Sequence, residues 1–143
     1  MADPIAIAAD HGGFELKSLL INDLQAAGHA VVDLGAHTAD SVDYPDFADA
    51  LAAALKDGRA ARGVLICGSG IGISIAANRH RHIRAALVHN ETEARLCRQH
   101  NDANVIVFGG RTLGSEIARA CLPVFLSTVF EGGRHARRVA KLG

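Results

Sequence analysis

A thiol stands beside a run of glycines near the middle of the chain. The apolar segment 64–66 leads directly into Cys67, and glycines follow at positions 68, 70 and 72. Because glycines carry no side chain, several backbone N–H groups can point into one concavity at the positive end of the helix predicted to follow. Such a ring of amides suits a phosphate or a developing oxyanion. The segment therefore predicts a ligand site in which Cys67 could act as a base or a nucleophile.

The same turn also has a purely structural interpretation. Glycine-rich turns between a strand and a helix are common in α/β proteins, and a lone cysteine is often a small buried apolar residue. The spacing departs from the dinucleotide-binding pattern G-x-G-x-x-G because Ile73 stands at the sixth position. The sequence also contains no phosphate-binding G-x-x-x-x-G-K-[ST] motif. Neither common type of nucleotide site is therefore predicted.

Two further polar groups stand later in the chain. His100 is a neutral acid/base group beside the amide donor Asn101, although both residue types are also favoured where a helix ends. Arg134 and Arg138 lie near the start of a predicted helix, where the helix dipole disfavours positive charge. They share one helix face and could hold one phosphate, and the alternative is a solvated basic tail.

Histidines elsewhere raise the question of a metal site. His80, His82 and His89 lie close together in sequence, but no carboxylate or cysteine stands near them at a spacing suited to shared coordination. Cys97 and His100 supply two ligands at most on one helix. No metal and no organic cofactor is predicted.

Short apolar segments alternate with helical segments along the whole chain. The predicted strands span residues 5–9, 30–34, 64–66, 83–88 and 104–108. The predicted helices span residues 14–27, a stretch beginning at Pro45, and residues 71–78, 91–99, 114–128 and 133–141. This alternation predicts right-handed crossovers and a Rossmann-like three-layer α/β/α sandwich with a five-stranded parallel sheet.

The predicted sheet sorts the polar residues into two groups. Ligands of open α/β sheets bind at the carboxyl ends of the strands, where Asp10, His11, Cys67 and Arg111 should gather. His100 precedes the fifth strand, so it is expected at the opposite edge. A second subunit could bring it to the first group.

Composition bounds the class of protein. The 143 residues fit one domain, and 15 basic residues balance 15 acidic ones, so no nucleic acid or membrane partner is expected. The three cysteines lie far apart, which favours reduced thiols. No secretory signal pattern and no long apolar run is visible, and we expect a cytoplasmic protein.

Five motifs in order resemble those of the family of ribose-5-phosphate isomerase B and galactose-6-phosphate isomerase. They span residues 10–14, 43–45, 67–78, 98–102 and 131–135, and the resemblance covers essentially the whole chain. The resemblance implies one sugar-phosphate isomerase domain over residues 1–143. It also implies a metal-independent interconversion of ribose 5-phosphate and ribulose 5-phosphate through an enediolate.

The resemblance assigns roles by position. Cys67 matches the base that moves a proton between C2 and C1, and Ser69 matches an assisting hydroxyl, although the commonest family pattern has threonine there. The amide cradle for the enediolate corresponds to Gly68, Gly70, Ile71 and Gly72. A single base suffices for both proton transfers.

The remaining roles concern ring opening and the phosphate. His100 matches the histidine that opens the furanose ring, Asp10 matches a ring contact, and Asn101 matches a residue that binds substrate oxygens. The residues that match phosphate-binding positions are His11, Arg111, Arg134 and Arg138. Tyr44 could line the pocket or simply belong to a helix start. Family sites lie between two subunits, so we expect a homodimer that could pair into a tetramer.

Two other functions stay open. The substrate could be a hexose 6-phosphate, such as allose or galactose 6-phosphate. The chain could instead be a non-catalytic sugar-phosphate-binding module on the same fold. A binding module needs no base, and it would keep its ligand affinity in a Cys67→Ala variant.

Overall fold

The computed structural model describes residues 3–143, which form a parallel sheet with helices on both faces. The strands are β1 Ile5–Ala9, β2 Val31–Asp33, β3 Arg62–Cys67, β4 Ala85–Leu87 and β5 Val105–Gly109. Their order in the sheet is β2-β1-β3-β5-β4, and every neighbouring pair is parallel. The predicted five-stranded parallel sheet is confirmed.

The helices follow the predicted alternation closely. A short 3-10 helix, His11–Gly13, leads into α1 Phe14–Ala26. The others are α2 Tyr44–Lys56, α3 Ile71–Ala77, α4 Glu91–Gln99, α5 Ser115–Ser127 and α6 Arg134–Ala140. Pro45 lies in the first turn of α2, where backbone N–H groups have no partner within the helix, so its missing N–H costs no hydrogen bond. Within residues 3–143, no helix has both the length and the apolarity that crossing a membrane requires.

Alternating side chains along the strands build two separate cores. Val64 and Ile66 of β3 pack with residues of α1, α4 and α5, whereas Leu65 and Cys67 pack with residues of α2 and α3. Successive side chains of a strand point to opposite faces, so both faces of a central strand must be apolar. The result is the predicted three-layer α/β/α sandwich, and it places Cys67 on the α2–α3 side.

The two edge strands are shorter than predicted. β2 and β4 have three residues each, against predicted spans of 30–34 and 83–88. The amide of Ile83 donates to the His80 carbonyl oxygen at 3.0 Å in a turn, so the chain reaches the sheet only after this residue. Each edge strand pairs with only the first three residues of its neighbour, at Ile5–Ile7 of β1 and Val105–Val107 of β5.

Candidate active site

Cys67 is the last residue of β3 and lies among the ends of three strands. It stands opposite Gly109, the last residue of β5, and Ala9, the last residue of β1, stands opposite Ile66. The Asp10 amide then donates to the Ile66 carbonyl oxygen at 3.2 Å. We call this end of the sheet, where Asp10, Cys67 and Gly109 lie, the carboxyl edge. It is where open parallel sheets bind ligands.

Backbone segments meet at the carboxyl edge without side chains between them. A side chain on Gly12 would begin 2.9 Å from the amide nitrogen of Gly68, so only glycine fits at this position. The Gly110 amide donates to the Cys67 carbonyl oxygen at 2.8 Å, and the Arg111 amide donates to that of Gly68, also at 2.8 Å. The turn after Cys67 is therefore fixed from both sides.

Asp10 and His11 are oriented by backbone amides. The buried Asp10 carboxylate accepts a hydrogen bond from the Gly12 amide at 2.9 Å. His11 accepts one at Nδ1 from the Val42 amide at 3.2 Å. An accepting Nδ1 places the proton of the neutral ring on Nε2, so His11 presents an N–H donor on its other side.

The turn of residues 68–72 brings five further predicted residues together. Gly70 has a φ of 78°, a left-handed conformation that favours glycine, and it caps α3. Ser69 Oγ accepts from the Ile71 amide at 3.2 Å. A side chain on Gly72 would begin 2.6 Å from Cζ of Tyr44, so the phenol ring lies directly against this glycine.

Arg111 also reaches this turn. Its Nη1 atom lies 3.4 Å from the point where a side chain on Gly68 would begin. The guanidinium therefore lies over the glycine turn, and positive charge faces the amides there. Both features attract an anion.

The other two cysteines do not offer a base. Burial raises the pKa of Cys97 to about 11, and burial is also the main cause that raises the pKa of Cys121. Both thiols stay protonated near neutral pH. All three cysteines are free, as the sequence predicts, and Cys121 lies in the core.

His100 and Asn101 lie at the opposite end of the sheet. They follow α4 and precede β5, whereas Cys67 and Gly109 end their strands. We call the end where the strands begin the amino edge. One chain therefore keeps His100 and Asn101 away from Cys67, in agreement with the sequence prediction.

A buried guanidinium fixes the end of α4. Arg98 donates to the Asp102 carboxylate at 2.9 Å, to the Ala103 carbonyl oxygen at 2.7 Å and to that of Thr128 at 3.2 Å. Asp102 has a φ of 48°, in the left-handed region, and the chain turns there from α4 towards β5. These contacts fix the backbone position of His100.

Two residues that sequence reasoning did not assign a role contact His100. The His135 ring stacks on the His100 ring with centroids 4.3 Å apart and planes 14° apart. Oε1 of Glu131 lies 3.9 Å from Nε2 of His100 and 3.8 Å from Nε2 of His135. Both residues belong to the motif of residues 131–135, but their proximity to His100 is a tertiary feature that spacing alone does not reveal.

His80, His82 and helix α6 have surroundings different from those of His100. His80 pairs through Nε2 with Asp49 at 2.8 Å, and His82 Nε2 lies 2.7 Å from the Ala52 carbonyl oxygen, so both attach to α2. Arg134 and Arg138 are exposed at successive turns of α6, beside the His135 that stacks on His100. The predicted phosphate residues therefore divide between the two edges.

Three comparisons relate the chain to known proteins. The model of the Ribose/Galactose Isomerase family matches residues 5–142. The chain is 44% identical to ribose-5-phosphate isomerase B of Escherichia coli over 94% of this chain and 91% of that one. It is 42% identical to D-erythrulose-4-phosphate isomerase of Pectobacterium atrosepticum over 97% and 92% of the two chains.

A solved structure gives the same result for the fold. The ribose 5-phosphate isomerase of Thermotoga maritima superposes with a TM-score of 0.97 at 48% identity, covering 99% of this chain and 98% of that one. The superposition covers nearly all of both chains. Together with the family match, it shows that this chain belongs to the ribose/galactose isomerase family.

Proposed function

We propose that this sugar-phosphate isomerase interconverts ribose 5-phosphate and ribulose 5-phosphate through an enediolate, with Cys67 as the base. The observation that carries the proposal is the position of Cys67 at the end of β3, directly before a glycine turn held from both sides. The identity to ribose-5-phosphate isomerase B of Escherichia coli supports the choice of substrate.

The chemistry requires both the thiolate and the turn. Cys67 takes the proton from C2 of the open-chain aldose and returns it to C1, while the electron pair of the broken C–H bond passes into the enediolate and the hydroxyl proton moves from O2 to O1. A carbon acid is far weaker than a thiol, so the negative charge on the enediolate oxygens must be stabilised. Oriented N–H donors are worth about 3 kcal/mol each in such a position. Ser69 and the amides of residues 68–72 are suited to this role.

The substrate's phosphate and sugar ring need residues of both edges. His11 and Arg111 offer donors at the carboxyl edge, and we assign Arg134 and Arg138 to the same phosphate from a second copy of the chain. That copy also supplies His100 to open the furanose and Asn101 to bind substrate oxygens, while Asp10 and Tyr44 line the pocket. In this proposal the enzyme is a homodimer of single-domain chains in the cytoplasm, where its three free thiols stay reduced.

A panel of sugar phosphates tests the substrate. The purified protein is assayed with chelator present on ribose 5-phosphate, erythrose 4-phosphate, allose 6-phosphate and galactose 6-phosphate. A kcat/KM at least tenfold higher for the pentose supports the proposal. The relative from Pectobacterium makes the tetrose the main competitor, and a preference for it or for a hexose overturns the substrate assignment. Binding without turnover of any of them supports the non-catalytic alternative.

Mixing two variants of low activity tests the shared site. Cys67→Ala and His100→Asn chains each lack one essential group, and a mixed dimer regains one complete site if each site takes Cys67 and His100 from different chains. Random exchange at equal concentrations gives about a quarter of the wild-type activity, because half of the dimers are mixed and half of their sites are intact. No recovery after verified subunit exchange would mean that both groups come from the same chain.

A further inference from the structure

We infer that Glu131 and His135 are positioning residues, which hold the His100 ring in the orientation that ring opening requires. The inference rests on the proposed function, because it deepens the role assigned to His100. Three observations support it. The His100 and His135 rings are stacked, the Glu131 carboxylate lies near Nε2 of both, and Glu131 and His135 are each held in place. None of these residues contacts the glycine turn in the same chain.

His100 needs external support because of where it lies. It follows the last residue of α4, and its side chain is 39% exposed. The helix end fixes its backbone but leaves the ring able to rotate about two side-chain bonds. The His135 side chain, which is only 9% exposed, covers one face of that ring at van der Waals distance. A buried ring beneath an exposed one restricts the exposed ring's rotation.

Glu131 acts on the edge of the ring. Its amide donates to the Gln99 carbonyl oxygen at 3.1 Å, so the residue is tied to the last turn of α4 beside His100. A carboxylate near Nε2 favours the tautomer that carries its proton there and leaves Nδ1 as the acceptor. In ring opening, that acceptor takes the proton of the O1 hydroxyl, the C1–O4 bond breaks as the C1 carbonyl forms, and the protonated ring returns the proton to O4.

His135 is suited to lie beside a histidine that must gain and lose a proton. Burial lowers its pKa, and the neighbouring His100, Arg134 and Arg138 charges lower it further, against the opposing effect of the Glu131 carboxylate. His135 is therefore neutral near pH 7. A neutral ring does not repel a protonated His100, whereas a second imidazolium would.

The same three side chains could be considered as metal ligands, since one ligand atom of each lies within 4.8 Å of the others. The ring geometry opposes this. The planes of the two imidazoles are only 14° apart, so their nitrogen lone pairs run nearly parallel and do not converge on one ion. Arg134 and Arg138 on the same helix add positive charge nearby. The arrangement fits a support for His100 better than a cation site.

The test separates ring opening from proton transfer. Conversion of ribose 5-phosphate requires both steps, whereas uptake of deuterium at C1 of ribulose 5-phosphate in D₂O requires only proton transfer, because this ketose has no furanose form. For Glu131→Gln and His135→Ala we expect kcat for ribose 5-phosphate to fall about tenfold, within the range of general acid–base contributions. Deuterium uptake and KM should stay within about twofold of wild type.

Conservative variants and a double-mutant cycle separate positioning from a merely structural role. His135→Phe keeps a ring against His100 and should recover most of the loss seen in His135→Ala. Glu131→Gln should cost nothing further in a His100→Asn background, since it acts through His100. Arg137→Gln is the matched control, an exposed position on the same helix, and should match wild type in both assays.

Each outcome decides one assignment. Equal losses of isomerisation and deuterium uptake in Glu131→Gln, or additivity with His100→Asn, would overturn the positioning role. Loss of deuterium uptake in Cys67→Ser supports the proposed function, and its retention refutes that function without regard to Glu131. A His100→Asn variant with normal isomerisation would instead remove His100 from the mechanism.

Discussion

The carboxyl edge and the amino edge of the sheet are built by different means. At the carboxyl edge, backbone segments after three strands touch one another, and the register of the sheet sets their positions. At the amino edge, the end of α4 is held by side chains, among them the buried Arg98 and the stacked ring of His135. One region depends on backbone spacing, and the other depends on a few polar contacts.

This difference has consequences for mutation. A site built from backbone groups keeps most of its structure when one side chain is shortened. It is disrupted when a side chain is added at a position that requires glycine. A side-chain assembly responds in the opposite way, because removing one member leaves its partners buried and unpaired. The two edges should therefore be disrupted by opposite kinds of substitution.

The largest effect expected is at Cys67, the one side chain of the carboxyl edge that performs chemistry in our proposal. Cys67→Ala should lower kcat at least about a thousandfold, as loss of the essential base does, while the free energy of unfolding changes by about 1 kcal/mol. Isomerase assays and urea unfolding measure the two quantities. Cys121→Ala is the matched control, with a stability loss but a normal kcat; a normal kcat for Cys67→Ala would contradict the assignment.

The next largest effect is expected at Arg98, on which the amino edge depends. Arg98→Met removes three hydrogen bonds and leaves two carbonyl oxygens without this donor, while Asp102 keeps only the ion pair with Arg84 at 3.5 Å. Because Asp102 is one-third exposed, the cost comes mainly from the lost hydrogen bonds of the buried guanidinium, about 2.5 kcal/mol in the free energy of unfolding. Urea unfolding measures the loss. Arg95→Met, an exposed position on the same helix, should change stability by less than about 0.5 kcal/mol. Similar values for both variants would mean that Arg98 does not hold this edge.

Much of the carboxyl edge could be predicted from the sequence. Apolar runs define strands, parallel strands place their carboxyl ends together, and glycines after β3 mark a turn that ligands can approach. These local signals locate Asp10, Cys67 and Arg111 at one edge, and the structure agrees. The order of the strands and the short lengths of β2 and β4 depend on which strands lie at the edges, and no local pattern carries that information.

The amino edge was less accessible to prediction. The sequence places His100 there by topology alone, but the stack with His135 joins residues 35 positions apart through the packing of α6 against the end of α4. The hydrogen bond of Arg98 to Thr128 spans 30 positions of the chain. Such contacts arise from tertiary packing and cannot be predicted from the spacing of residues in the sequence.

At the carboxyl edge, adding a methyl group should disrupt the structure, whereas removing side-chain atoms should not. Gly12→Ala places a carbon 2.9 Å from the Gly68 amide nitrogen, so one backbone segment must shift. We expect a loss of about 2 kcal/mol in the free energy of unfolding, the usual cost of overpacking, and a raised KM for ribose 5-phosphate. Urea unfolding and steady-state kinetics measure both. Gly114→Ala is the control because nothing lies within 4 Å of the added carbon, and equal effects in the two variants would argue against a close-packed cradle.

The smallest effect concerns an ion pair at the carboxyl end of β2. Burial alone would raise the pKa of Asp33, but hydrogen bonds from Lys17 and the Gly35 amide, with the Lys17 charge, outweigh it and hold the pKa below its usual value of 3.8. The buried Lys17 Nζ lies 2.8 Å from Asp33 Oδ1. A lowered carboxyl pKa contributes stability that is present above the unfolded-state value and is lost as the pH falls through the folded-state value.

Lys17→Met should therefore be less stable than wild type by about 1 kcal/mol at pH 7, a modest figure because Asp33 is one-third exposed and partly screened by solvent. The difference should shrink as the pH falls below 3.8, because the unfolded chains take up a proton at Asp33 first, and it is lost once the pH falls through the lowered pKa of the folded wild type. Urea unfolding at pH 7 and at pH 3 measures it. Lys56→Met at the exposed end of α2 should show no such pH dependence. If the Lys17→Met difference were the same at both pH values, packing of the lysine stem, and not the ion pair, would account for its contribution to the carboxyl edge.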